Sequence, residues 1–311
     1  MTDSISPREQ LARRVAHVTK VVQLACLLEV SAPKPGNVSP GRRFGDMGVE
    51  HFHASAVAIG DALRQIADQP IGLTILQAIE ATAAWTRANT NLGMVLLLAP
   101  LARAAVSLEG WRPEPHHGLS PAVLRESLRL VLAATTTEDA RAVYAAIRLA
   151  APGGLGHSAE QDVSAEPTLP LTAVMRLAQD HDDVAREYAT GFSATFEVGA
   201  PALQQARREG LGWEDAIVET FLTLLAARPD THVRRRGGAE LADQVSRLAQ
   251  AVLAAGGVRT AAGRRTIDDM DQALRRPDNL TNPGTTADLT AAATCVVLLS
   301  GGWSETHAAT R

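Results

Sequence analysis

The chain has 311 residues, and its 30 Lys and Arg against 34 Asp and Glu give a formal net charge of −4 at pH 7. This slightly acidic balance excludes a general nucleic-acid binder, because phosphate neutralisation requires clustered positive charge. No segment reaches the roughly 20 apolar residues of a membrane span, and the first ten residues contain no apolar signal core. We therefore expect a cytoplasmic protein without nucleic-acid or membrane partners.

The pattern along the chain predicts helices throughout. Alanine, leucine and arginine dominate, and apolar residues rarely alternate with a period of two. In the first helix, apolar residues recur at spacings of three and four from Leu11 to Ala25, as on one buried face. The predicted helices are residues 7–30, 49–67, 73–88, 92–108, 121–133, 138–150, 171–179, 183–192, 201–208, 213–227, 239–255 and 285–299. We expect an all-α, bundle-like single domain over residues 1–311.

Polar segments rich in Gly or Pro separate these helices, and we expect them to converge on one site. Glycine-rich turns and helix N-termini present free N–H groups that bind anions. The segments with this character are residues 31–48, 87–93, 151–170, 229–238 and 277–288.

The first segment contains Lys34 between two prolines, followed by Gly36 and Asn37, and the only other lysine of the chain is Lys20. A stiff loop fixes the position of a compact ammonium, which predicts contact with a phosphate. A surface lysine in a turn is the alternative. Glu29 ends the preceding helix and fits a solvated helix end, a partner of Lys34 or a metal ligand.

Asp46 lies further along the same segment, where a helix cap or a turn is the alternative to a metal ligand. The second segment, Thr90-Asn91-Leu92-Gly93, directly precedes a strongly apolar helix. Thr90 or Asn91 as the helix cap explains this pattern about as well as an anion or a ribose held at the start of the helix.

The third segment joins several glycines to acids that include Asp162 and Glu166. Carboxylates at this spacing on a glycine-rich loop suit magnesium, which takes oxygen ligands and bridges substrate phosphates. An exposed acidic loop is the alternative. His157 has no second histidine at a metal-binding offset, so we expect it at the surface.

The fourth segment is a basic run that ends in Arg236-Gly237-Gly238. Such a run fits a triphosphate through charge-assisted hydrogen bonds and backbone amides, or is a solvated group of charges. The fifth segment contains Asn279 and leads into the last apolar helix, with Asp288 near its start. The helix dipole alone stabilises an acid at that position, so Asp288 needs no function to explain it.

Together and in this order, the five segments resemble the triphosphoribosyl-dephospho-CoA synthase family over nearly the whole chain. The resemblance covers about residues 24–299. The segments that carry it are Glu29-Val30, Pro33-Lys34-Pro35-Gly36, Asn89-Thr90 with Gly93, Asp230-Thr231 with Arg236-Gly237-Gly238, and Asn279 with Pro283-Gly284 and Asp288-Leu289. The resemblance implies an all-α enzyme that joins ATP to dephospho-CoA through a ribosyl linkage and releases adenine.

That reaction needs a base, phosphate-neutralising groups and stabilisation of an oxocarbenium-like centre. On the resemblance, we assign Asp162, Glu166 and Lys34 as catalytic groups. The predicted magnesium or ribose ligands are Glu29, Asp46, Asp162 and Asp288. The predicted nucleotide-binding residues are Lys34, Gly36, Asn37, Thr90, Asn91, Gly93, Arg236, Gly237, Gly238 and Asn279. The expected ligands are ATP as a substrate, Mg²⁺, and dephospho-CoA or another acceptor, and assembly into a homo-oligomer is left open.

The chain departs from the family pattern at several positions. Asn91 and Leu92 stand where the family has a histidine and a lysine, His232 replaces an asparagine, and the middle motif fits loosely. A divergent branch therefore remains an alternative, acting on another acceptor in one-carbon coenzyme biosynthesis of the methanofuran or tetrahydromethanopterin type. A non-catalytic helical nucleotide-binding protein is the third reading.

Overall fold

The computed structural model describes residues 6–44, 47–113 and 118–303. Over these residues the chain is all-α, as predicted, and its only β-type contacts are two isolated bridges, Ser39 with Arg42 and Phe44 with Met47. No helix in the described part of the chain combines the length and the apolar character needed to cross a membrane.

The helices are numbered in chain order. They are α1 Pro7–Ser31, α2 Val49–Ala58, α3 Gly60–Arg64, α4 Ile71–Ala83, α5 Leu92–Val106, α6 Pro121–Ala133, α7 Thr137–Ala150, α8 Leu171–Ala178, α9 Asp183–Thr190, α10 Ala200–Arg208, α11 Trp213–Ala227, α12 Thr231–Gly237, α13 Ala239–Ala254, α14 Ala261–Leu274 and α15 Gly284–Leu299. A π-helical turn at Ala194–Gly199 precedes α10, and a 3₁₀ turn at Gly257–Arg259 precedes α14.

Most predicted boundaries agree with these helices, but three expectations were wrong. The segment 229–238 is not a loop, because Asp230 caps α12 by accepting a hydrogen bond from the N–H of Val233 at 2.9 Å. The predicted helices also did not include α14. The single helix expected at residues 49–67 is instead divided between α2 and α3, at Ile59.

Helices α5 and α15 form the centre of the fold. Helix α15 packs against α1, α5 and α11, and nearly all its residues are buried. Asp288 is its only charged residue and is partly accessible to solvent. A charge in an otherwise apolar central helix is costly unless water or a ligand reaches it. The space around Asp288 is therefore a candidate ligand site.

Pro100 lies inside α5 and lacks the N–H that would bond the carbonyl of Leu96, four residues earlier. The buried hydroxyl of Tyr188 in α9 donates a hydrogen bond to that carbonyl, at 2.7 Å. Leu96 also lines a cavity of about 1070 Å³ beside these helices. The proline therefore helps to fix α9 against α5 beside that cavity.

Candidate functional site

A cavity of about 1070 Å³ opens where the polar segments of the sequence meet. Its walls include the first turns of α5 and α15, one face of α12, the start of α9, and residues 151–164 between α7 and α8. All five segments predicted to converge contribute to its lining. Asn37, Asn91, Asp162, Arg236 and Asp288 each represent one of them.

Asp288 lies where the first turns of α5 and α15 touch. A Cβ atom placed on Gly93 would lie 2.0 Å from Oδ2 of Asp288, so the α5 backbone can approach the carboxylate only because residue 93 is glycine. Among the described residues, no donor bonds the Asp288 carboxylate. A partly accessible carboxylate with unused acceptor capacity can bind a substrate hydroxyl.

The environment of Asp288 disfavours its charged form. Burial is the main cause that raises its pKa well above the usual value, and the neighbouring carboxylates of Glu29, Asp230 and Asp182 add to the effect. Arg235 opposes it by favouring the charged form. A carboxyl with a raised pKa is a stronger proton acceptor once it is ionised, which suits acid–base chemistry near neutral pH.

Lys34 and Glu29 form a fully buried pair at the C-terminal end of α1. Nζ of Lys34 lies 2.9 Å from Oε1 of Glu29, donates to the carbonyl of Ala32 at 3.1 Å and donates to the carbonyl of Glu29. Lys34 therefore neutralises Glu29 and caps the C-terminus of α1, and it does not line the cavity. Its predicted contact with phosphate stays a prediction.

The turn that follows Lys34 is held by hydrogen bonds within the protein. Gly36 has φ +73°, its N–H donates to Asp271 at 2.8 Å, and a Cβ there would lie 2.8 Å from Leu274. Asn37 lines the cavity and donates from Nδ2 to Oδ1 of Asn282 at 3.2 Å. Asp46, a predicted metal ligand, lies outside the described residues.

The start of α5 places Thr90 and Asn91 on the cavity wall. Each of these two side chains makes a hydrogen bond within the protein. Oγ1 of Thr90 is 2.6 Å from Oγ of Ser55, and the Asn91 amide donates to Oγ1 of Thr82 at 3.0 Å. Asn89 is the residue that bonds the helix start, since its Oδ1 accepts from the Leu92 N–H at 3.1 Å. The segment is thus a rigid part of the wall.

Residues 151–164 form one side of the cavity, and Asp162 organises that loop. Its carboxylate accepts from the N–H of Ser158 at 2.7 Å and from the N–H and hydroxyl of Ser164 at 2.8 and 2.6 Å. These bonds hold the pKa of Asp162 well below its usual range, which makes it a weak base. Glu166 is exposed, pairs with Arg141 at 2.9 Å and does not line the cavity.

Helix α12 brings two arginines to the opposite side of that loop. Arg235 pairs with Asp182 at 3.1 Å and donates to the carbonyl of Gly153 at 3.3 Å. Arg236 donates to the carbonyl of Asn279 at 2.7 Å. No carboxylate of the described chain forms an ion pair with Arg236, so its charge remains available to an anionic ligand.

The other residues predicted in segments 229–238 and 277–288 lie partly in the cavity lining and partly outside it. Asn279 lines the cavity with a left-handed φ of +52°, and its buried Oδ1 has no partner among the described residues. Gly237 and Gly238 lie just outside the lining at the end of α12. A Cβ on Gly237 would meet Leu241 at 2.4 Å, and Gly238 has φ +88°, so packing and backbone conformation account for both.

Sequence reasoning missed several lining residues, including His181, Asp182 and Arg235. In the sequence, His232 stood out only as a departure from the family pattern. It lies against Gly284, and burial, followed by the charges of Arg235 and Arg236, lowers its pKa to about 4. His232 is therefore neutral at physiological pH, and its ring, which also interacts with the backbone of Asn282, can hydrogen-bond a ligand in the cavity.

The predicted metal ligands do not form a protein-held metal site. In the described ranges, no group of three or more His, Cys, Asp or Glu side chains is arranged to hold a metal ion. Glu29 is paired with Lys34, and Asp162 is bonded to two serines. Of that set, within the described residues, only the Asp288 carboxylate faces the cavity with its oxygens unbonded.

The sequence of this chain is similar to those of one enzyme family. Residues 15–307 match the model of the ATP:dephospho-CoA triphosphoribosyl transferase family. A Pseudomonas fluorescens protein assigned as a 2-(5''-triphosphoribosyl)-3'-dephosphocoenzyme-A synthase is 29% identical over 317 residues, covering 96% of this chain and 95% of that protein. A Pseudomonas putida protein assigned the same name is 40% identical over 119 residues, covering 38% of this chain and 41% of that protein.

A solved structure agrees in fold. The crystal structure of an Archaeoglobus fulgidus protein, assigned as a triphosphoribosyl-dephospho-CoA synthase, superposes with a TM-score of 0.61 at 28% identity. The match covers 82% of this chain and 99% of that one. These relatives favour an ATP:dephospho-CoA triphosphoribosyl transferase over the two other readings, a transferase with a different acceptor in one-carbon coenzyme biosynthesis and a non-catalytic binding protein.

Proposed function

The chain belongs to the ATP:dephospho-CoA triphosphoribosyl transferase family, and from that premise we propose that its cavity binds ATP and dephospho-CoA together. In this reaction an acceptor hydroxyl of dephospho-CoA attacks the anomeric carbon of the ATP ribose. A carbon–oxygen bond forms, the bond to adenine breaks, and adenine leaves with the bonding electrons and takes up one proton, which balances the proton lost by the hydroxyl. The cavity volume of about 1070 Å³ lies at the upper end of the range for small-molecule sites, which is consistent with two substrates.

Asp288 carries the proposal. No described donor bonds its carboxylate, and the same is true of Glu160, but Glu160 is exposed on the loop 151–164 whereas Asp288 is the only charge on the central helix α15. We assign it as the base that removes the proton of the attacking hydroxyl. Its negative charge also favours the positive charge that develops on the ribose. Asp162 and Glu166 remain alternative bases, but the first is bonded within its loop and the second lies outside the lining.

The triphosphate requires positive charge and N–H donors. Arg236 supplies a guanidinium that no described carboxylate neutralises, and the first turns of α5 and α15 add the partial positive charge of two helix N-termini at the same cavity. We infer that the triphosphate lies between Arg236 and these helix starts. Neutral His232 is placed to hydrogen-bond the sugar or the leaving adenine.

Magnesium would accompany the triphosphate, since Mg²⁺ is usually held by substrate phosphates with one or two carboxylates. The described residues do not fit a magnesium site held by protein carboxylates alone, because Glu29 and Asp162 are bonded within the protein. We therefore assign no step to the metal and regard ATP with its own cation as the substrate.

Adenine release tests this function. The wild-type protein, given ATP, magnesium and dephospho-CoA, should release adenine only when both substrates are present. Arg236→Ala should raise the KM for ATP at least about tenfold, because a hydrogen-bonded charge is lost from the phosphate site. Arg234→Ala removes an exposed arginine of the same helix that does not line the cavity and is the matched control. Adenine release that does not depend on dephospho-CoA would contradict the proposal.

A further inference from the structure

We propose that the end of the cavity between α7 and α8 is the subsite for the pantetheine arm of dephospho-CoA. The inference rests on the proposed function, because it takes dephospho-CoA as the acceptor. It adds a location and a specificity role for residues that neither the motifs nor the comparisons assign.

The wall at this end is apolar. Its side chains recur at helical spacings, so one face of each helix points into the same space. They are Val143 and Ile147 from α7, and Leu171, Val174, Met175 and Ala178 from α8. Helices α7 and α8 pack against each other, so these residues form one continuous surface.

Two polar side chains of α7 also line this end, and the charged one, Arg148, is exposed to solvent. The Tyr144 hydroxyl donates to the carbonyl of Gln161, and Nη1 of Arg148 donates to the carbonyl of Val163 at 2.7 Å. Both bonds tie the loop 151–164 to α7. They leave mainly apolar side chains for a ligand at this end.

The part of the cavity next to α12 and the starts of α5 and α15 contains the charged groups that the proposed reaction uses. There the loop reaches α12 through the bond from Arg235 to Gly153, and Arg236 and Asp288 supply charge. One cavity therefore combines a charged end with an apolar end, and the loop 151–164 extends along both.

Dephospho-CoA has the same division. One end is an adenosine diphosphate, which is anionic, and the other is the long uncharged pantetheine arm. A triphosphate or a diphosphate held against the apolar wall would lose hydration without gaining compensating partners, which is costly. The uncharged arm loses little by entering that space and gains burial of its methylene and methyl groups. The acceptor therefore fits with its arm between α7 and α8 and its nucleotide toward Asp288.

Two variants of α8 test the subsite from opposite directions. Val174→Ala enlarges it, and Ala178→Phe fills it; both positions are only partly buried, so the fold should tolerate them. We expect each to raise the KM for dephospho-CoA at least about tenfold, since a single methylene gained or lost in an apolar pocket already has an effect of this size. The KM for ATP should change less than about twofold. Leu149→Ala, on α7 but exposed and outside the lining, is the matched control.

Calorimetric titration of dephospho-CoA separates this inference from the proposed function. If the wild-type protein releases no adenine, the proposed function fails, yet dephospho-CoA should still bind the wild type more tightly than Ala178→Phe. Equal affinities in wild type and Ala178→Phe, with thermal unfolding unchanged, would overturn the subsite. A KM for ATP that rises as much as the KM for dephospho-CoA would overturn it as well.

Discussion

Two polar regions of this molecule lie next to each other and differ in one physical respect. The side chains of Lys34 and Glu29 are both buried. The lysine bonds three acceptors at the C-terminus of α1. Asp288, which is close enough to Glu29 to be affected by its charge, faces a cavity, and none of the described residues donates a hydrogen bond to it. Both regions belong to family motifs, yet only the second faces the cavity, where a substrate can bond to it.

The difference shows what a motif can and cannot indicate. A lysine between prolines is equally suitable for binding a phosphate and for closing a helix, and the sequence does not distinguish the two uses. The remaining hydrogen-bonding capacity does distinguish them, because a group that the protein already satisfies gains little from a ligand. We therefore expect the first region to control stability and the second to control activity.

The largest expected effect on stability is at Lys34. Lys34→Met should lower the free energy of unfolding by about 3–5 kcal/mol, because it leaves Glu29 buried without its counter-charge. Urea unfolding measures this change. The double variant Glu29→Gln/Lys34→Met should recover much of the loss, and Lys20→Met, at an exposed position, should have little effect. A stable Lys34→Met protein that no longer binds ATP would instead indicate a phosphate ligand.

An intermediate effect on stability is expected from the titration of Asp288. Its folded pKa is raised, so the folded state gains relative stability when the carboxyl is protonated and loses it as the pH rises from about 3.8 through the raised pKa. Every tenfold difference in proton affinity between the folded and unfolded states corresponds to about 1.4 kcal/mol. Compared with Asp288→Asn, the wild type should therefore lose stability over this window. Parallel pH profiles of the two unfolding free energies would contradict the burial of this carboxyl.

The smallest expected change in stability follows Gly93→Ala. The added methyl group would lie 2.0 Å from the Asp288 carboxylate, which can move away. The free energy of unfolding should therefore change by only about 1 kcal/mol. Adenine release should nevertheless fall at least about tenfold, because the carboxylate is displaced. Gly110→Ala, where a Cβ meets nothing within 4 Å, is the control. Full activity in Gly93→Ala would show that the position of Asp288 is unimportant.

Much of the fold was predictable from periodicity and from proline and glycine positions. Helices such as α6 and α11 have the predicted bounds, because their apolar faces and end signals agree. Helix α12 was missed because its seven residues are mostly polar and its cap, Asp230, also bonds Thr286 at the distant start of α15. Such long-range bonds leave no local pattern in the sequence.

The site was predictable in part. The convergence of five polar segments follows from their common position at helix ends, and all five contribute lining residues. The inward orientation of Lys34 could not be predicted, since it depends on a bond to Glu29 across a turn. The sequence does contain one further signal: Asp288 is the only charge in a helix that is otherwise apolar or small, and the helix dipole alone does not explain a charge in such a buried helix.

Adenine release by the wild type, Asp288→Asn and Asp243→Asn tests the role of Asp288 most directly. Asp243 is exposed on α13 and lies outside the cavity lining, so its variant controls for the loss of one carboxylate. We expect kcat to fall about 10²–10⁴-fold in Asp288→Asn, as when a general base is lost, and to stay unchanged in Asp243→Asn. A folded Asp288→Asn protein that keeps more than about a tenth of the wild-type kcat would contradict the assignment of Asp288 as the base.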